Sequence, residues 1–129
     1  MSITAGIEGN KTLEVTFKET ALAYGSGTIE VFATPAMIAL MEQTAMESVA
    51  NLVPEGFVTV GTEVSVKHLK ATLPGKVIHC SSKLVFSEGR KLVFEVFASD
   101  DSGIVGKGTH TRYVVDKQSF LSNLRENKL

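Results

Sequence analysis

Apolar residues along this chain follow two rhythms, and the changes between them predict its elements. Residues 12–18, TLEVTFK, alternate, with Leu13, Val15 and Phe17 on one face, as in a half-buried strand. Thr20 to Gly27, which contains Gly25-Ser26-Gly27, reads as a loop leading into a short apolar piece, Ile29 to Ala33. From Thr34 to Leu52 the spacing changes. At about 100° per residue, Met37, Ile38, Met41, Ala45, Val49 and Leu52 form one stripe of a long helix. Thr34 suits its N-cap, Pro35 its first position, and Asn51 with Pro54-Glu55-Gly56 its end.

Period two then returns. Val58, Val60, Thr62, Val64 and Val66 take alternate positions opposite Glu63, Ser65 and Lys67, a long strand that ends at Thr72-Leu73-Pro74-Gly75. Residues 76–86 form the next strand, with Ile78, Cys80, Leu84 and Phe86 on one face. Ser87-Glu88-Gly89-Arg90 is a hairpin connection into residues 91–99, where Leu92, Phe94, Val96 and Ala98 alternate with polar positions. Asp100-Asp101-Ser102-Gly103 turns the chain into a last strand over 104–115. A short helix from Lys117 to Asn127, with Phe120, Leu121 and Leu124 as its apolar side, closes the sequence.

Short connections make the last four strands antiparallel neighbours. A mostly apolar helix needs burial round most of its circumference, and a curved sheet wrapped about it supplies that. The expected class is α+β: a hotdog fold, one domain over residues 1–129. A ferredoxin-like split fold would need a second full helix between strands. Exposed sheet edges favour edge-to-edge pairing, so a homodimer is expected.

The 129 residues suit one core. A formal net charge of −1 gives no bulk pull toward nucleic acid or an anionic membrane, and neither is expected as a partner. No apolar run is long enough to span a bilayer, and no secretory segment opens the chain. Cys80 is the single cysteine, which fits a reducing cytoplasm.

One helix residue changes the picture. The neighbours of Glu42 at three and four positions are Ala39, Ile38, Ala45 and Met46, all apolar, whereas those of Glu47 include Thr44, Gln43 and Asn51. Glu47 reads as solvated and Glu42 as a buried or half-buried acid, costly to ionise without a partner. His68 continues the inward parity of Val64 and Val66, so an imidazole faces the helix. An inward histidine near such an acid gains basicity and a fixed tautomer, and a hydroxyl such as that of Thr34 can then be a nucleophile or hold a water. The helix start offers N–H groups to an oxyanion. The bland alternative makes Thr34 a cap, His68 a bonded core histidine and Glu42 its structural partner.

The segments VFATPAMIALMEQTA, VGTEVSVKHLKATLPG, GRKLVFEVFASD and GKGTHTRYVV together resemble the fluoroacetyl-CoA thioesterase family of hotdog proteins over roughly residues 28–120. The resemblance implies a threonine just before the central helix, a glutamate eight residues later, and a histidine in a strand running into a Pro-Gly turn. Here these are Thr34, Glu42 and His68. It also places Gly61 and Arg112 near the bound acyl group. The implied reaction is hydrolysis of an acyl-CoA thioester to a free acid and CoA, with His68 as base supported by Glu42 and with CoA as part of the substrate, not a cofactor. Fluoroacetate-specific members carry a longer, phenylalanine-bearing lid before the helix. Gly25, Ser26, Gly27 and Thr28 stand where its aromatics would fall, so a short or medium acyl group is expected.

His110 shares the parity of Ile104 and Val114 and is expected to line a pocket or serve structure. His79 points outward. The three histidines lack paired ligand spacing, so no metal site is expected. Gly103, Gly106 and Gly108 precede no helix and form no dinucleotide fingerprint. Cys80 reads as a core thiol. Lys67, Lys70, Lys76, Arg90 and Lys91 are the cations available to CoA phosphates. A non-catalytic acyl-thioester or CoA-binding protein and a hotdog dehydratase or hydratase are the rival functions.

Overall fold

Five strands form one antiparallel sheet in the order β1-β3-β4-β5-β2, in a computed structural model that describes residues 3–126. They are β1 Glu8–Glu14, β2 Phe57–His68, β3 Val77–Glu88, β4 Lys91–Asp100 and β5 Gly103–Asp116. Between β1 and β2 the chain makes a 3-10 turn, Phe17–Glu19, a four-residue helix α1, Ala21–Tyr24, and the long helix α2, Thr34–Val49. Helix α3, Lys117–Arg125, follows β5. Helix α2 touches all five strands, so the sheet curves round it. Met37, Met41, Ala45 and Val49 meet Ile78, Leu84, Leu92, Phe94 and Val96 in a single apolar cluster. Helix α2 comes close to the sheet edge at Gly9, where a Cβ would stand 2.7 Å from that of Ser48.

The α2 face is broader than the predicted stripe and differently centred. Ala36, Leu40 and Thr44 are buried, Ile38 is half-buried, and Leu52 lies beyond the helix and is exposed. The first strand is displaced toward the amino terminus, because Thr16 and Glu19 form a capping box that starts the 3-10 turn and carries Phe17 out to solvent. Thr20 then caps α1 by accepting from the Ala23 amide, so a helical turn stands where a loop was expected. The predicted end of the tail helix, Asn127, lies outside the described residues, and α3 buries none of its apolar side.

Two bulges explain the remaining differences. The β2–β5 register slips between Gly61 and Glu63, leaving Thr62 unpaired. Pairing puts Thr59 opposite the buried Val114 and Val64 opposite the buried His110, so the inward face passes from odd to even positions. Val58 and Val60 therefore face out, against the uninterrupted alternation expected, while Val64, Val66 and His68 keep their predicted side. A slip between Leu84 and Phe86 turns Phe86 out of the core in the same way.

Candidate active site

Strand β2 ends at His68 just as α2 begins at Thr34, and the two side chains meet. Thr34 Oγ1 lies 2.8 Å from His68 Nδ1. Thr34 is not the N-cap: Ala33 is, without a side-chain bond, and Pro35 follows inside the first turn. With no cap to serve, the Thr34 hydroxyl is free to turn toward the histidine. Phe32 packs its ring edge to face on His68, with centroids 6.0 Å apart. A cleft of about 340 Å³ opens over the pair, walled by Phe32, Pro35, Leu69 and Lys70. Thr34 is exposed to it and His68 half-buried.

Burial lowers the His68 pKa below its usual value, and the backbone of Lys70 partly opposes that. Ring atom Nε2 is buried without a hydrogen bond among the described residues. In the tautomer with the proton on Nε2, the Nδ1 lone pair accepts from the Thr34 hydroxyl, which is the polarity that base catalysis needs.

The cleft wall is itself anchored. The amides of Leu69 and Lys70 both donate to the Val105 carbonyl, at 2.7 and 3.2 Å, and the Phe32 amide donates to the Thr72 carbonyl at 2.8 Å. Asp100, its side chain 3 % exposed, accepts from Lys70 Nζ at 2.5 Å and from the Thr72 hydroxyl at 3.0 Å. The Lys70 bond, helped by those from Ser102 and Thr72, outweighs burial and holds the Asp100 carboxyl far below the usual carboxylate range. This anchor was not foreseen. Only the Asp-x-Ser spacing of the turn hinted at it.

Glu42 is elsewhere. Eight residues of helix separate it from Thr34, about 12 Å along the axis, and its partner is Arg112, with Nη1 to Oε2 at 3.8 Å. The expected Glu42–His68 pair is therefore absent within the chain. Glu42 is half-exposed, at 41 %, because the bulge puts Gly61 rather than a side chain opposite it. A Cβ on Gly61 would lie 2.9 Å from Glu42 Oε2 and 3.2 Å from both Arg112 Nη1 and His110 Cε1. Thus Glu42, Arg112 and His110 converge on Gly61, and a side chain there would collide with the Glu42 carboxylate. Arg112 is buried and held by Thr59, with Nε to Oγ1 at 2.8 Å and Nη2 to the carbonyl at 2.9 Å. Burial lowers its pKa and Glu42 opposes this. Thr59 escaped notice because the uninterrupted alternation put it on the outer face.

Among the described residues no group of three or more His, Cys, Asp or Glu side chains could hold a metal ion, and no helix is long and apolar enough to cross a membrane.

Residues 15–118 match the family of fluoroacetyl-CoA-specific thioesterases. The fluoroacetyl-CoA thioesterase of Streptantibioticus cattleyicolor is 36 % identical over 97 residues, 75 % of this chain and 70 % of that protein. The solved structure of the fluoroacetyl-CoA thioesterase FlK superposes with a TM-score of 0.90 at 30 % identity, over 98 % of both chains. A variant of it in complex with acetyl-CoA gives a TM-score of 0.91 at 28 % identity, over 98 % of this chain and 100 % of that one. A hot-dog-like protein from Thermanaerovibrio acidaminovorans gives 0.88 at 26 %, over 95 % and 91 %. Gly25, Ser26, Gly27 and Thr28, ahead of α2, carry no aromatic ring. The fold is a hotdog fold, and the chain belongs to the fluoroacetyl-CoA-specific thioesterase family.

Proposed function

We propose that this protein hydrolyses short or medium acyl-CoA thioesters, with Thr34 and His68 as its reacting pair. The observation that carries the reading is the 2.8 Å contact between Thr34 Oγ1 and His68 Nδ1 at the floor of an open cleft. The Thr34 hydroxyl gives its proton to Nδ1 as its oxygen attacks the thioester carbonyl carbon. The first turn of α2, whose N–H groups have no partner inside the helix, faces the negative charge that develops on the carbonyl oxygen. Collapse expels the CoA sulfur, which takes the proton from His68, and leaves an acyl ester on Thr34. A water activated by the same imidazole then releases the acid. Arg112 and Gly61 flank the acyl group. CoA enters as part of the substrate, as in the relative solved with acetyl-CoA. Residues 25–28 before α2 carry no aromatic ring, which favours a general acyl group over a fluorinated one.

The working unit is a homodimer paired along β2, whose outer edge has no neighbour in the sheet among the described residues. Antiparallel pairing about a two-fold near Val64 sets His68 of one copy opposite Val60 of the other, next to that copy's Gly61 and Glu42. Glu42 then supports His68 from the second copy. The site works in the reducing cytoplasm that a lone, buried Cys80 suits.

Release of free thiol from acetyl-, butyryl- and octanoyl-CoA tests the reading. Thr34→Ala and His68→Ala should each lose about 10²-fold or more. A wild-type protein that binds these esters without releasing thiol is a carrier, and one that changes a double bond is a dehydratase. Either result ends the proposal.

A further inference from the structure

His110 and Arg112 form a buried, hydrogen-bonded pair, and the bonds settle the state of each ring nitrogen. His110 is 1 % and Arg112 6 % exposed. His110 Nδ1 lies 2.8 Å from the Glu63 carbonyl oxygen, at the register slip in β2. A carbonyl can only accept, so Nδ1 carries the proton. On the other side Nε2 lies 3.1 Å from Arg112 Nη1, and a guanidinium can only donate, so Nε2 holds a lone pair. The ring is neutral with one defined tautomer, and it stacks on Phe94 at 6.4 Å. Burial, which lowers the His110 pKa, agrees with this.

The donors of Arg112 can be counted. Of five N–H groups, one on Nε goes to Thr59 Oγ1, one on Nη2 to the Thr59 carbonyl and one on Nη1 to His110. The second N–H of Nη1 is left beside Glu42 Oε2, at 3.8 Å, and close over Gly61, where a Cβ would stand 3.2 Å from Nη1. Thr59 holds two edges of the plane. His110 holds the third, on Nη1, the nitrogen that lies over Gly61.

We infer that His110 is a positioning residue: pinned to the Glu63 carbonyl, it presents Nε2 to Arg112 and fixes the direction in which the guanidinium meets the acyl group over Gly61. This rests on the proposed role of Arg112 in acyl binding. It does not make His110 an acid or base, since neither ring nitrogen is free.

Two amide side chains separate the two bonds. In His110→Asn the amide nitrogen can reach the Glu63 carbonyl but nothing accepts from Arg112; in His110→Gln the longer side chain returns an oxygen to the place of Nε2. Expected values of kcat/KM are a loss of about tenfold for Asn and recovery of most of it for Gln. In an Arg112→Met background the Asn substitution should cost nothing more. Equal losses for Asn and Gln, or losses that multiply in the Arg112→Met background, would overturn the inference and leave His110 as packing. The Arg112 Nε–H resonance gives a readout without turnover: a single slowly exchanging signal in the wild type and in His110→Gln, broadened or shifted in His110→Asn. An unmoved resonance also overturns it. If the wild type hydrolyses none of the acyl-CoA esters while the resonance behaves as expected, the hydrolase reading has failed and the His110–Arg112 relation stands.

Discussion

The two histidines that face α2, His68 at its start and His110 on β5 beside Glu42, are paired in opposite ways. At the start of the helix, Thr34 and His68 share one hydrogen bond, Thr34 faces open solvent, and His68 Nε2 has no partner among the described residues. Two turns on, Arg112 and His110 are buried and bonded through nearly every available atom. A group that must exchange a proton with substrate cannot be saturated with fixed partners. A group that must only point in one direction is better the more partners it has. The first pair is therefore built for reaction and the second for placement.

The contrast breaks most visibly by truncating one member of each pair. Thr34→Ala should remove about two to four orders of magnitude of turnover and leave the melting temperature near the wild-type value, since the residue is exposed and caps nothing. Arg112→Met should do the reverse in proportion. It strands the buried Nε2 of His110 and takes the donor from two half-buried acceptors on Thr59, a cost of about 3 kcal/mol in stability. Denaturant titration beside thiol-release kinetics separates the two. Equal stability losses in both variants would erase the distinction.

A second experiment asks whether the two regions serve one site. Within the chain Glu42 faces Arg112 and not His68. If a second copy supplies the carboxylate, mixing inactive Glu42→Ala with inactive His68→Ala should restore about a quarter of wild-type activity: half the dimers are mixed, and one of their two sites is whole. No rescue on mixing would confine the site to a single chain and remove Glu42 from its support of His68.

What could be read from sequence follows from which interactions are local. The period-two runs gave β4 almost as observed, because Leu92, Phe94, Val96 and Ala98 alternate without interruption and all four are buried. The same rule failed at Val58 and Val60, since one unpaired residue at Thr62 reverses the parity of everything before it and leaves no mark on the pattern of apolar letters. Thr34 was found at a helix start that Pro35 marks well, and His68 by the parity it shares with Val64 and Val66, which lie after the bulge. Glu42 was singled out by its neighbours along the helix, but within the chain it faces Arg112 and not the expected His68: that choice depends on how far α2 slides along β2. The Lys70–Asp100 and Thr59–Arg112 bonds join residues 30 and 53 positions apart, and no local signal carries such distances.

The smallest effect is on stability as a function of pH, and it sharpens the comparison because both histidines contribute with one sign. Burial lowers the pKa of His68 and of His110 in the folded protein, while the unfolded chain titrates near the ordinary value of about 6.5. As pH falls below that value the unfolded state takes up protons first, so stability should decline on acidification and recover as pH rises again. Asp100 adds a second, lower window. Its folded pKa is depressed, so its contribution is complete above about pH 4 and is lost as the carboxyl protonates below it. Between those windows the two histidines part company. Protonation of His68 removes the base, so turnover should rise with pH through an ionisation below the ordinary histidine value and be flat near neutrality. Protonation of His110 sets an N–H against the N–H of Arg112, so its signature is loss of fold. In His110→Gln the upper limb of the stability profile should flatten while the pH dependence of turnover stays where it was; movement of the rate profile instead would mean that the two sites are not separable in the way their bonding suggests.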